Sequence, residues 1–365
     1  MKNKMKKTVA SLVIMLVFAC GSLFAGEVSL GSIGLSENGS SGWALGGTKT
    51  GPLFFKYENG GWKIDLTNMF KENVTFQPVS ICVSSDGTKA FAVGTAGGSS
   101  KVYEFSGMRW MKVNPGNMKN FQVSSVCCSK NGDKVWAAGC DDKKGILWKM
   151  ELGKWSQQSI FFKDTPTTWN ISISRIAQVK DGQKLLAIGE AMYGPLHKTG
   201  LLLTFENNKW SMPELKPLAN TRPHRAKGFT DIWANESGTE VLVSGWKYYY
   251  PENGKKDEVL PMMCRLDGNV LNEIRMEKLP AITKFVKAGG KIHSFCPESG
   301  GFAIWSHDGK IWKKAAFFPK MEMNSIAFSS DGNTGFITAT KTTRPKQTVP
   351  AILQYKNGKW QEINL

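Results

Sequence analysis

Seven times along residues 31–365 a turn glycine is followed, seven residues later, by a small residue that closes a short apolar segment. The turns are Asn38-Gly39, Asp86-Gly87, Asn131-Gly132, Asp181-Gly182, Ser237-Gly238, Gly289-Gly290 and Asp331-Gly332. The segments behind them end in Gly46, Gly94, Gly139, Gly189, Gly245, Cys296 and Ala339; Phe91-Ala92-Val93-Gly94 and Trp136-Ala137-Ala138-Gly139 are examples. A spacing held seven times identifies a repeat array, in which each unit buries its apolar face only by stacking on its neighbours.

Each unit continues into a third apolar segment, a second turn and then usually a tryptophan: Asn59-Gly60-Gly61-Trp62, Gly107 to Trp110, Gly153-Lys154-Trp155, Asn208-Lys209-Trp210, Asp308-Gly309-Lys310-Ile311-Trp312 and Asn357-Gly358-Lys359-Trp360, with Leu271 in the tryptophan position of unit five. Asn-Gly and Asp-Gly tolerate the positive φ angles of type I′ hairpin turns, whose twist matches paired strands, so these turns are expected to be of that type. The small residue closing the second segment is expected to allow close backbone approach where blades crowd. Four short strands in about 48 residues, with 38 Gly and 13 Trp and no amphipathic helix pattern after the N-terminal segment, predict an all-β chain: a seven-bladed β-propeller with four antiparallel strands per blade.

The phrase apolar-x-x-Ser-x-Asp-Gly, then Phe/Trp-Ala-Val-Gly, then Asn-Gly-x-Trp resembles the seven-bladed propellers of photosystem II assembly factors and their non-photosynthetic bacterial relatives. The resemblance implies a scaffold that binds a partner rather than a named reaction. Ser306-His307-Asp308-Gly309-Lys310-Ile311-Trp312 also resembles, one residue short, the Asp-box of sialidases.

The N-terminus reads as an export signal. Lys2, Lys4, Lys6 and Lys7 precede the apolar run Val9–Ala19, which is too short to span a bilayer. Val17-Phe18-Ala19-Cys20-Gly21 resembles a bacterial lipoprotein box, which makes Cys20 a candidate lipidation site; cleavage after Ala25 is the competing expectation. The expected organisation is a signal peptide over 1–19, a tether over 20–30 and the propeller over 31–365, in a periplasmic, envelope-anchored or secreted protein. Residues 27–31 also remain available to pair with the last blade. Of the six other cysteines, Cys127 or Cys128 with Cys140 is the pair expected on neighbouring strands; Cys82, Cys264 and Cys296 read as buried strand residues.

The units differ mainly in one place. From the small residue to the tryptophan position the distance is 16 residues in units one, two, three and six, 21 in units four and seven, and 26 in unit five. The extra residues fall between strands two and three, on the face where links between blades also emerge, and one-sided insertions mark binding surfaces. They bring Tyr193, His197 and Lys198; Trp246, Lys247, Tyr248, Tyr249, Tyr250, Lys255 and Lys256; and Arg344 and Lys346, while the link between units four and five adds Arg222, His224, Arg225 and Lys227. With a formal net charge of +17, this basic, aromatic rim suits a protein partner or an anionic glycan, and a purely solvated basic surface fits the charge as well. An exported address disfavours nucleic acid.

No catalytic set, cofactor motif or metal-ligand spacing is recognisable. Gly94-Thr95-Ala96-Gly97-Gly98 lacks the Gly-Lys-Ser/Thr ending of a phosphate loop. His293 is expected to pack in a strand, and His307 to sit in a solvated turn. Glu190 and Asp231 lie near the favoured face but read as exposed loop carboxylates. A non-catalytic binding propeller is the leading expectation, and a sialidase-like glycoside hydrolase, with three converging arginines, the alternative.

Overall fold

A computed structural model describes residues 28–65, 74–115, 120–141, 144–160, 170–193, 197–212, 226–249, 258–268, 270–274, 282–344 and 347–363. Their 28 strands form seven antiparallel four-stranded sheets. Each sheet uses four consecutive strands, called A to D from the ring's inside outward, and the blades span 29–64, 76–113, 121–159, 170–211, 226–273, 284–319 and 321–363. The A strand of each blade meets the A strands of its two neighbours. The first strand, Ser29–Leu35, starts just inside the segment expected to be a tether and pairs with its own blade. The signal peptide and Cys20 lie outside the described residues. No helix among the described residues is long and apolar enough to cross a membrane.

The core is seven apolar clusters, one at each junction between adjacent blades. The D-strand tryptophan explains why this works. Trp110 of blade 2 leaves its own sheet to stack on Phe54 of blade 1 at 3.9 Å and 14°, with its ring edge-on to Trp43 at 5.1 Å. Trp155, Trp210, Trp312 and Trp360 join the clusters facing their preceding blades, and Leu271 does the same for blade 5. Trp62 of blade 1 meets Phe336 of blade 7 at 5.2 Å, edge to face.

That last contact closes the ring, and among the described residues no strand is exchanged in doing so. Blade 7 and blade 1 are joined by side chains: Asn324 Nδ2 donates to Leu30 O, Thr338 Oγ1 to Gly31 O, and the Ile33 N–H to Ser325 Oγ. The Ser330 N–H adds a bond to Glu37 O. Val28 and Ile363 pack on the same cluster at this seam.

The two turn families differ, and the type I′ expectation holds for one better than for the other. In the A–B turns of blades 1, 2, 3 and 7 the glycine has positive φ (Gly39, Gly87, Gly132, Gly332), while the Asn or Asp before it does not. That residue instead accepts a hydrogen bond from the serine two positions earlier, as in Ser36–Asn38 at 2.9 Å and Ser84–Asp86 at 2.7 Å. The serine Oγ also accepts the backbone N–H across the loop mouth, as from Lys89 at 2.9 Å. The side chains thus replace the backbone bonds that a wider loop leaves open. Type I′ geometry occurs in the C–D turns, where both central residues have positive φ: Asn59-Gly60, Leu152-Gly153, Asn207-Asn208 and Asn357-Gly358. Blade 6 alone among the A–B turns has a two-residue Gly289-Gly290 turn.

The small residue closing strand B also has a different reason from interblade crowding. A Cβ on Gly139 would lie 2.0 Å from Gln122 O, and one on Gly189 2.0 Å from Ser172 O. Both carbonyls belong to the same blade's A strand, which bulges between Val123/Ser125-type positions and swings across strand B. In blade 6 the A strand begins only at Lys284, and Cys296 is accommodated. Gly139→Ala should therefore cost about 1–3 kcal/mol, since a backbone carbonyl has to move. Gly61→Ala, with open space at its Cβ, should stay within about 0.5 kcal/mol. Urea unfolding of both variants checks the contrast.

Candidate functional site

The three insertions prolong existing hairpins. Strands B and C stay paired out to Tyr193 with His197 in blade 4, Tyr249 with Glu258 in blade 5 and Arg344 with Gln347 in blade 7. In an antiparallel meander the B–C hairpins and the D-to-A links leave on one face and the A–B and C–D turns on the other. Tyr193, His197, Lys247, Tyr248 and Tyr249 therefore stand on the extended hairpins of blades 4 and 5, and Arg344 is exposed near the tip of blade 7's. Trp246 is half-buried lower on the blade 5 hairpin, between Gly228 and Pro261. Arg222, His224, Arg225, Tyr250 and Lys255 lie outside the described residues.

The opposite face is held by the A–B turns, which bond to one another around the channel. The Glu37 N–H donates to Ser85 O, Ser85 N–H to Lys130 O, Lys130 N–H to Asp181 Oδ1, and Lys180 N–H to Glu236 O. At the mouth, Lys130 Nζ lies 3.5 Å from both Glu37 and Glu236, spanning blades 1, 3 and 5. The cavity around it has a volume of ≈ 480 Å³.

Between the two faces, the A strands carry the most distinctive chemistry of the molecule. One position in each blade pairs with the residue just before the small end of strand B. It is Ser32, Ser80, Ser125, Arg175, Asp231, Lys284 and Ser325 in blades 1 to 7. The four serines share one task. Each Oγ accepts the backbone N–H of the next blade's following residue: Ile81 at 3.1 Å, Val126 at 3.2 Å, Ile176 at 3.3 Å and Ile33 at 3.4 Å. Asp231 keeps this role, accepting from the Phe285 N–H at 3.1 Å. Arg175 and Lys284 are cations and cannot accept at all.

Blades 4, 5 and 6 thus place a cation, an anion and a cation side by side at the ring's inner edge. Arg175 Nε is 3.8 Å from Asp231 Oδ1, with side chains 26% and 13% exposed, and Lys284 Nζ donates to Asn324 O. Burial lowers the Lys284 ammonium pKa to about 7; Arg175 adds repulsion, and Asp231 opposes both. Burial likewise pushes the Asp231 carboxyl up, against the pull of Arg175 and Lys284. Desolvation outweighs attraction for both groups, as expected for charges withdrawn from water. Asp231, read as an exposed loop carboxylate, is instead an inner-strand residue. Arg175 and Lys284 were not anticipated; aligning the A strands as Ser-Ile, Ser-Ile, Ser-Val, Arg-Ile, Asp-Ile, Lys-Phe and Ser-Ile reveals them. Glu190 is on strand B of blade 4, its Oε1 3.0 Å from where a Gly228 Cβ would lie.

The remaining candidates are structural. His293 packs against Phe328 at 5.1 Å and 13°, and its Nδ1 meets Ser306 Oγ at 2.9 Å. Burial, with Lys291 nearby, lowers its pKa to about 4. Folded His293 stays neutral while the unfolded residue gains a proton near pH 6.5. Its contribution is complete above about pH 6.5 and is lost as pH falls towards about 4, with a slope of up to about 1.4 kcal/mol per pH unit. Urea melts between pH 7 and pH 4 should show this loss in the wild type and a flatter profile in His293→Gln. Asp308, in the Asp-box-like turn, accepts the Lys310 and Ile311 N–H groups of its own hairpin. Three converging arginines are not found among the described residues: Arg175 meets Asp231, Arg265 pairs with Glu240, and Arg344 stands at a hairpin tip. No group of three or more His, Cys, Asp or Glu among the described residues is arranged to hold a metal ion.

All six described cysteines are free thiols. Cys128 and Cys140 pair at opposite ends of their strands, with Val135 and Gln122 respectively. Cys82 of blade 2 lies instead beside Cys128 of blade 3, and burial pushes its thiol pKa well up. Stacking of one blade on the next, rather than pairing within a blade, brings these two thiols together.

No family model matches the chain, and no curated protein matches it in sequence. Solved structures do match its shape. The β-propeller domain of the Trilobed protease from Pyrococcus furiosus, described as having an open velcro topology, superposes with a TM-score of 0.61 at 13% identity, over 92% of this chain and 97% of that one. YCF48 from Cyanidioschyzon merolae gives 0.59 at 13%, over 92% and 97%. Kuenenia stuttgartiensis hydrazine synthase gives 0.57 at 14%, over 94% and 96%. At such identities the likeness shows the seven-bladed fold, which proteins of different roles share.

Proposed function

We propose that this chain is a non-catalytic binding propeller of the bacterial envelope, exported by residues 1–19 and either tethered by a lipid on Cys20 or free beyond the membrane. It holds a protein partner, or an anionic polymer such as a glycan, against the face formed by the hairpins of blades 4 and 5. The observation that carries this reading is the lengthening of the B–C hairpins of blades 4, 5 and 7, all on one face of the ring. Extended strands hold tip residues in place better than a loose loop of equal length, so the longer hairpins suit recognition. The lysine and tyrosine composition of these segments supplies charge attraction and flat apolar contact.

The test is cross-linking and affinity capture from the native envelope, comparing the full chain with a variant whose residues 248–259 are replaced by a two-residue turn. A partner held by the first should be lost by the second. Neutralising Arg222, Arg225, Lys247 and Lys255 together should weaken the same complex at least tenfold at low salt and much less at high salt. Capture that survives both changes overturns the reading.

A further inference from the structure

The charged A-strand positions of blades 4 to 6 are unnecessary for building the ring. Serine occupies the equivalent position in four blades and supplies the interblade hydrogen bond there. Replacing it by Arg175 and Lys284 removes two such acceptors and brings two cations into a poorly solvated place, which opposes folding. Asp231 neutralises only one of them, and its Oδ2 is already engaged by the Phe285 N–H. The Arg175 guanidinium makes no direct hydrogen bond to a described residue; its ion-pair partner is Asp231, with Nε 3.8 Å from Oδ1. A planar group with five donors is thus left partly exposed beside an amine, and whenever Lys284 is protonated the local charge is one positive unit in excess.

We propose that the inner edge of blades 4 to 6 holds a small oxyanion group (a carboxylate, sulfate or phosphate) between the Arg175 guanidinium and the Lys284 ammonium, with Asp231 holding the two cations apart. Guanidinium binds such groups through paired N–H donors, and the low local dielectric strengthens the contact. The ligand supplies the negative charge that the ring lacks. It also restores Lys284 to its charged form, which burial disfavours in the empty site. The site lies below the long hairpins of blades 4 and 5 but uses none of their residues. Its failure and that of the partner-binding face are therefore separately observable.

The experiment uses the full chain and three probes, sodium acetate, sodium sulfate and sodium phosphate, titrated at constant ionic strength and followed by NMR. At least one probe should bind saturably at one site. The triple variant Arg175→Ser, Asp231→Ser, Lys284→Ser gives blades 4 to 6 the serine of the others and should weaken that binding at least tenfold. Lys209→Ser, an exposed charge change on an outer strand of blade 4, should leave it intact. The probe that binds tightest assigns the class of oxyanion. A second reading needs no variant: acylation of Lys284, measured by mass spectrometry, should slow several-fold in the saturating probe while that of Lys287 does not. Absence of saturable binding by all three probes overturns the proposal, as does binding unchanged in the triple variant or acylation of Lys284 unaffected by the probe.

Discussion

Asp231→Ser should destabilise the propeller by about 2–4 kcal/mol near pH 6, whereas the triple serine variant should lie within about 1 kcal/mol of the wild type or above it. The contrast isolates charge from hydrogen bonding. Serine at 231 can still accept the Phe285 N–H, as serines accept the equivalent N–H from four of the seven blades; what the single variant loses is the anion between Arg175 and Lys284. Two cations then face each other in a poorly solvated place. Removing all three charges removes the problem. The penalty should also shrink at pH 9, because Lys284, with a pKa lowered by burial to about 7, is already neutral there in the wild type. Chemical denaturation of both variants at the two pH values measures this. A single variant as stable as the wild type at pH 6 shows that the three charges do not interact enough to matter.

Trp110→Ala should cost about 3–5 kcal/mol, the range for a fully buried large aromatic. Its side chain is 1% exposed, stacks on Phe54 and meets Trp43 and Phe105, so the loss opens the junction of blades 1 and 2. Trp110→Phe should recover part of the loss by keeping the stack on Phe54. Thermal and urea unfolding read both; a cost for Trp110→Ala below about 1 kcal/mol refutes the idea that these tryptophans fasten blade to blade.

Much of this architecture is legible before any coordinates. The spacing from Gly39 to Gly46 and its six repetitions carries the fold, because turn chemistry and strand ends are local. The tryptophans and Leu271 carry the junctions, and the longer distances in units four, five and seven show up as longer hairpins. The triad is harder to read. Arg175 and Lys284 follow no motif; their meaning depends on the A-strand bulge, on a register that sets them opposite Ile188 and Phe295, and on what serine does elsewhere. Cys82 and Cys128 are likewise neighbours only once blades are stacked. Local signals locate strands, while the contacts between blades belong to the ring.

The seam between blades 7 and 1 has a mechanical consequence. Because, among the described residues, no strand from one end of the chain is woven into the sheet at the other, the circle is clasped by side-chain contacts such as Trp62 on Phe336 and Asn324 on Leu30, together with the Ser330–Glu37 backbone bond. A force applied across the two ends is therefore borne by packing and a few lateral bonds, and the molecule yields there as a clip opens, with every sheet still whole. For the same reason the order of blades is cyclic: a chain begun at any other junction, with the present ends linked, describes the same circle.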